Sequence, residues 1–261
     1  MQPEPRGKVL LVGAGPGAAD LLTVRAVRAI ESADVVLHDA LIGDDVLALV
    51  PSATRCIEVG KRGHRPSASQ DFINRLMASL ALSGQRVVRL KGGDPSIFGR
   101  AAEERTFLEQ AGVSVDVIPG ITTASAAAAQ FNFSLTTRAQ ARRVLFATGR
   151  TLEGAAGDWK AAADRQTTLC LYMGCADIAF IVTELLASGR DAETPAIAAI
   201  DVERPGARFI RTMLADLPAE LAGQETDGPV FITIGEAAAT AHDSVQAEAL
   251  PLPQDRPAYS R

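Results

Sequence analysis

The chain has 261 residues, 47% hydrophobic and 22% charged, a globular mix that excludes both a disordered polymer and a disulfide-stapled mini-protein. Acidic residues outnumber basic ones 31 to 26, and the net charge of −5 argues against broad attraction to nucleic acid. Any anionic ligand must therefore meet a local basic cluster.

The opening "MQPEPRGK" lacks the apolar core of a signal peptide, and the most apolar runs break well short of the roughly 20 residues that a membrane span needs. The three cysteines, Cys56, Cys170 and Cys175, have no metal-ligand spacing and cannot all pair, which predicts a reducing, cytoplasmic setting. Three histidines without ligand spacing predict no metal site.

The first element is the apolar run Val9–Val12, closed by a glycine turn in "VGAGPGAAD". Val35–Leu37, Val87–Leu90 and Val115–Ile118 are similar short runs, read as strands buried on both faces of a parallel sheet. Between them, Gln70–Leu82 reads as a helix with Ser67 and Gln70 at capping-box spacing and a stop at Gly84, and Arg100–Gln110 as another, ending at Gly112. The alanine-rich "ITTASAAAAQ" suits a helix packed closely against backbone or ligand.

The second half holds five strand-like runs, "RRVLFATG", "TLCLYMG", "PAIAAIDV", "ARFIRTML" and "PVFITIGE", with one clear helix near Asp177–Ala187. Two of them read as a hairpin about Pro205-Gly206. The expected fold is therefore α/β in two domains, residues 7–137 with a mainly parallel sheet and 138–248 with a mixed one, the boundary lying near Thr137–Gln140. Residues 249–261 are proline-rich and expected to form a disordered tail. Trp159 is expected in the core.

Gly13, Gly15 and Ala18 fit the dinucleotide fingerprint, with Asp39 ending the next strand at about the right distance. Pro16 opposes that reading, because it sits where the loop should offer an N–H to a pyrophosphate and has none. A second glycine turn, Gly92-Gly93-Asp94, follows the strand in "VVRLKGGDPSIFGRAAEE". Asp94 would repel a pyrophosphate, so an adenosyl sulfonium fits the paired turns better than a dinucleotide.

The ordered set "VGAGPGAADLLTVRA", "ADVVLHDALI", "VGKRGHRPSASQDFIN", "VVRLKGGDPSIFGRAAEE", "VIPGITTASAAAA" and "LYMG" resembles the tetrapyrrole methylases, and among them the uroporphyrinogen-III C-methyltransferases, from about Gly7 to Glu236. The resemblance implies two α/β domains forming a homodimer, with S-adenosylmethionine in the cleft between the domains. It also implies methylation of a small tetrapyrrole at C2 and C7 to give precorrin-2, for siroheme or cobalamin. No metal, membrane or nucleic-acid partner is implied.

Carried over position by position, the resemblance implies cofactor contacts at Pro16, Gly92, Gly93, Asp94, Ile97, Thr122, Thr123 and Met173. It implies Asp39 as proton acceptor and Lys61 as proton donor. Without it, these residues read more plainly as turn glycines, a helix cap, a core methionine, a strand-end acid and a loop lysine.

A substrate rich in carboxylates needs fixed cations, and "GKRGHR" and "TTRAQARR" supply Arg62, Arg65, Arg138 and Arg142. Arg100 and Glu103 lie one helical turn apart, where the acid either orients the arginine or shares a proton; with Arg138 they are substrate-side candidates, and Arg100 and Glu103 are also catalytic candidates that assist deprotonation. Ala101, Ala102, Ser96 and Thr137 depart from the commonest family pattern near the implied macrocycle site. They leave open a methylase of a later precorrin as a second reading. An NAD-dependent dehydrogenase built on the Gly13 loop is a third.

Overall fold

The computed structural model describes residues 7–60, 69–149, 159–224 and 228–242. In the first half the apolar runs are strands: β1 (Lys8–Gly13), β2 (Val35–His38), β3 (Arg55–Glu58), β4 (Arg86–Lys91) and β5 (Ser114–Ile118). All pair in parallel, in the order β3-β2-β4-β1-β5. The crossovers carry α1 (Val24–Glu31), α2 (Asp44–Leu47), α3 (Gln70–Leu82) and α4 (Ala101–Gln110), and α5 (Thr123–Gln130) follows β5.

This order puts β1 and β4 side by side at the centre, so the two glycine turns leave neighbouring strand ends, where open α/β sheets bind ligands. The central strands are covered on both faces: Val9, Val12, Val87, Val88 and Leu90 are fully buried. β5, expected to be buried on both faces, is instead an edge strand with alternate residues exposed. β3 went unpredicted because "RCIE" exposes three of its four residues and has no apolar run to mark it.

The α3 boundaries match the sequence reading, but its cap differs. Ser69 is the N-cap and accepts a hydrogen bond from Phe72 N at 3.1 Å, whereas Ser67, two residues earlier, lies outside the described residues. Arg100 is the residue before α4 rather than its first turn, in left-handed backbone at φ +58°.

The second half forms β6 (Arg143–Thr148), α6 (Lys160–Ala163), β7 (Thr167–Tyr172), α7 (Ile178–Ala187), β8 (Pro195–Ile200), β9 (Arg208–Met213), α8 (Leu217–Ala222) and β10 (Val230–Ile234). Its sheet runs β6-β7-β10-β8-β9, with β6 and β7 parallel and the remaining pairs antiparallel, a mixed sheet as expected. α6 and α8, of four and six residues, are too short to show a helical period in sequence, which is why only α7 was legible. Trp159 is buried in the core under this sheet.

α5 belongs to the second sheet's packing although it follows the first. Its alanines at 124, 126, 127 and 128 bury against Cys170, Ile197, Ala199 and Phe231, together with Phe131 and Phe133. Small side chains let the helix backbone approach that sheet closely, and the contact ties the two sheets together. The chain at Thr137–Gln140 crosses between α5 and β6. The predicted tail lies outside the described residues, as do Lys61, Arg62, His64 and Arg65. Among the described residues no helix is long and apolar enough to cross a membrane.

Candidate active site

Beyond their strand ends, Gly15 and Gly93 exchange backbone hydrogen bonds of 3.2 and 2.7 Å in an isolated bridge, both at positive φ. Gly120, after β5, presses into the same place. A Cβ there would lie 2.3 Å from Gly93 O and 2.8 Å from Gly13 Cα, and one on Gly13 would lie 2.5 Å from Gly120 N. Three loops from three strands thus meet backbone to backbone. Gly13 and Gly120 are glycine because of one another, and Gly93 because its φ of +66° suits a residue without a Cβ. Gly92 differs: nothing lies within 4 Å of its Cβ position, so its backbone faces open space.

Asp94 ties this junction together. Its Oδ1 accepts from Ser96 N at 2.8 Å and its Oδ2 from Gly120 N at 3.0 Å, while Ile97 N donates to Asp94 O at 3.1 Å. The carboxylate that the sequence offered to a cation already bonds two backbone N–H groups. Thr123 flanks the junction, its Oγ1 4.0 Å from the Cβ position of Gly93.

At the α5 N-terminus, Thr122 occupies the cap position without a capping bond of its own. Its Oγ1 stands 2.5 Å from Tyr172 Oη, and Ala124 N donates to the same phenol oxygen at 3.3 Å. Burial raises the Tyr172 pKa, and the Thr122 bond opposes that rise. Around the phenol ring pack Phe98, Phe231 and Phe146, with centroids 5.2, 5.1 and 5.9 Å away. Phe98 and Met173 both have φ +53° and leave apolar surface exposed, 38% and 45%. Gly92, Gly93, Asp94, Ile97, Thr122, Thr123 and Met173 are therefore one neighbourhood, joined by the Asp94 bonds and by Tyr172.

The β8–β9 hairpin loop closes over the first glycine turn. Arg204 donates through Nε to Pro16 O at 3.3 Å and through Nη2 to Leu41 O. A Cβ on Gly17 would lie 2.3 Å from Glu203 O. Pro16 borders the neighbourhood because it follows Gly15, which is bridged to Gly93, while its carbonyl accepts from Arg204.

Beneath the strand ends lies a buried polar cluster. Arg89 sits in the middle of β4, level with Leu11 and Leu37, which face the layer of α3 and α4. Its guanidinium donates through Nη2 to Asp39 Oδ1 and through Nη1 to Leu90 O at 3.0 Å, and its Nε lies 3.6 Å from Glu104 Oε1. Glu104, fully buried on α4, accepts at Oε1 from Lys91 Nζ at 2.9 Å and from Gln70 Nε2 at 3.0 Å. Burial lowers the Lys91 pKa, helped by the Arg89 charge and opposed by Glu104 and Asp39. Arg89 Nε and Glu104 Oε2 have no hydrogen-bond partner. Asp39 is the solvent-facing end of this cluster, its side chain 32% exposed.

Arg100 and Glu103 pair as the sequence suggested, Nε to Oε1 at 3.0 Å and Nη2 to Oε2 at 2.6 Å, both more than half exposed. The Arg100 hydrogen bonds hold the Glu103 carboxyl below its usual range. Arg138 and Arg142 line a separate groove of about 530 Å³ with Thr136, Thr137 and Ala141. Thr137 Oγ1 accepts from Gln140 N and Ala141 N at 3.2 and 3.0 Å, so this departure from the family pattern builds the turn that carries Arg138. Lys61, Arg62 and Arg65 lie outside the described residues, but Gly60, just before them, packs on Asp39 and Ala40.

Sequence reasoning missed Arg89, Lys91, Glu104, Tyr172 and Arg204. A signal existed for the first three: two cations spaced by two on one face of an apolar strand require a buried counter-charge, and "AAEE" offered one.

Comparison with known proteins identifies the family. A family model described as tetrapyrrole (corrin/porphyrin) methylases matches residues 8–218. A uroporphyrinogen-III C-methyltransferase of Paracoccus denitrificans is 42% identical over 252 residues, 96% of this chain and 88% of its own. A siroheme synthase of Sodalis glossinidius is 42% identical over 242 residues, 92% of this chain and 51% of its own, so the chain spans about half that longer relative. The crystal structure of a Thermus thermophilus uroporphyrin-III C-methyltransferase, complexed with S-adenosyl homocysteine, superposes with a TM-score of 0.77 and 37% identity, covering 89% of this chain and 99% of its own.

Proposed function

The chain belongs to the tetrapyrrole (corrin/porphyrin) methylases, and from that membership we propose that it is the S-adenosylmethionine-dependent C-methyltransferase that converts uroporphyrinogen III to precorrin-2. The observation that carries this reading is likeness to one such enzyme along almost the whole chain. The dinucleotide reading of the first glycine turn falls, because Gly13 and Gly15 are taken up by Gly120 and Gly93.

The residues fit an adenosyl sulfonium. Gly92 leaves open space beside the loop, Met173 and Phe98 present apolar surface, and the one charge in "GGDPSIF" is the Asp94 carboxylate, suited to a cation. Pro16, Gly92, Gly93, Asp94, Ile97, Thr122, Thr123 and Met173 are the residues that would hold it. When bound, the donor supplies an electrophilic methyl group.

The pyrrole carbon is already nucleophilic, so the protein's work is alignment, exclusion of water and removal of one proton per methylation. Asp39, presented at the strand ends by Arg89, takes that proton. Lys61, directly after the glycine that abuts Asp39, is the proton donor. Arg62, Arg65, Arg100, Arg138 and Arg142 bind substrate carboxylates. Glu103, joined to Arg100 by two hydrogen bonds, orients that arginine. The domain division near residue 137, a homodimer and a cytoplasmic setting complete the reading; the family resemblance supports the first two, and three free cysteines the last.

Anaerobic incubation with uroporphyrinogen III and methyl-labelled S-adenosylmethionine tests it. Two labelled methyl groups per macrocycle are expected. No transfer, with S-adenosylhomocysteine still bound, would move the assignment to a later precorrin.

A further inference from the structure

We propose that Arg89 is a positioning residue for methyl transfer, acting through Asp39, and that Glu104 is the buried anchor that holds Arg89 in place. The inference rests on the reading of Asp39 as proton acceptor. It is carried by a chain of contacts that no simpler structural need explains.

A charged side chain in the centre of a parallel sheet is costly unless paired, and a hydrophobic residue would fill the same place, as Leu11 and Leu37 do on either side. Arg89 is 2% exposed, and what it reaches is the one carboxylate of the cluster that opens to solvent. A carboxylate joined to a planar, many-donor guanidinium is fixed in direction more tightly than one in water. The guanidinium is fixed in turn, by Leu90 O on one side and Glu104 on the other.

Glu104 makes the arrangement possible. Lys91 and Arg89 project the same way from β4, and their like charges require a carboxylate between them. Gln70 completes the anchor by donating one amide to both Glu104 Oε1 and Asn74 Oδ1, each at 3.0 Å. The cluster holds two cations and two anions, Arg89, Lys91, Asp39 and Glu104. Only Asp39 is open to a substrate.

Positioning without substrate contact predicts a loss in turnover rather than in binding. A misplacement on the order of 1 Å costs roughly 100-fold in rate, and Arg89→Met is expected to lower kcat by about that factor. KM for uroporphyrinogen III and the affinity for S-adenosylhomocysteine should stay near the wild-type values. Glu104→Gln should give a smaller loss of the same kind.

The deciding experiment is a double-mutant cycle on kcat with Asp39→Asn, with S-adenosylhomocysteine binding measured on every variant. If Arg89 works only through Asp39, Arg89→Met causes no further loss once Asp39 is asparagine. Additive losses would overturn the proposal and leave Arg89 a packing residue. Should Arg89→Met fail to fold, Arg89→Lys keeps the charge, loses the planar reach, and carries the same cycle. Asp39→Asn at the wild-type rate would sink the proton-acceptor reading and the proposal with it; a slow Asp39→Asn beside a wild-type Arg89→Met would sink the positioning role alone.

Discussion

Tyr172, the last residue of β7 in the second sheet, caps α5, the helix that follows the first sheet: its Oη lies 2.5 Å from Thr122 Oγ1 and 3.3 Å from Ala124 N. A single phenol oxygen thus satisfies a helix N-terminus across 50 residues of sequence. Thr122, proposed above as a cofactor contact, is held by this bond. Tyr172→Phe keeps the ring contacts and removes both bonds, so it should cost about 1–2 kcal/mol in urea unfolding. The same change should weaken S-adenosylhomocysteine binding, by up to about tenfold in calorimetry.

Two glycines one loop apart should respond in opposite ways. Gly120→Ala drives a Cβ into Gly93 O and should destabilise by roughly 3 kcal/mol or more. Gly92→Ala meets no protein atom, and should leave the unfolding midpoint within about 0.5 kcal/mol of wild type. Its cost should appear in donor affinity, because the new methyl group occupies the open space beside the loop.

Arg204 anchors the β8–β9 loop to the first glycine turn through Pro16 O and Leu41 O. Arg204→Ala should cost about 1.5–3 kcal/mol, the range for hydrogen bonds involving a charged group. KM for S-adenosylmethionine should rise as Pro16 loses its partner, and unchanged donor kinetics would show that the loop is only packed there.

The Arg100–Glu103 pair is exposed, so its ion pairing contributes at most about 1 kcal/mol. Glu103→Gln should barely shift thermal unfolding. If Glu103 orients Arg100 toward substrate carboxylates, KM for uroporphyrinogen III rises by several-fold while kcat holds. A fall in kcat alone would instead return Glu103 to proton transfer.

Burial pushes the Cys170 thiol up to about 12 from 9.0. The unfolded chain therefore ionises this thiol before the folded one does, and the associated stability, complete below pH 9, drains away as pH rises toward about 12. Near pH 10 the loss should approach about 1.4 kcal/mol. Chemical unfolding at pH 8 and 10 checks this, and Cys170→Ala should flatten the alkaline fall.

Much of this molecule was legible one residue at a time. The apolar runs of β1, β2 and β4, the helix Gln70–Leu82, the hairpin turn at Gly206 and the paired glycine turns all follow from local periodicity and from φ angles that only certain residues adopt easily. β3, α6 and α8 escaped because so few residues carry no period.

What the sequence by itself determined was the set of the longer elements and the small-residue loops between them, because apolar periodicity and glycine turns are decided by neighbours along the chain. The tertiary structure alone decided the partners. Asp39 meets Arg89 because β2 lies beside β4, Gly13 meets Gly120 because β1 lies beside β5, and Thr122 meets Tyr172 because α5 packs on the second sheet. A buried charge or an uncapped helix end demands a partner, but which residue answers is set by strand order and packing.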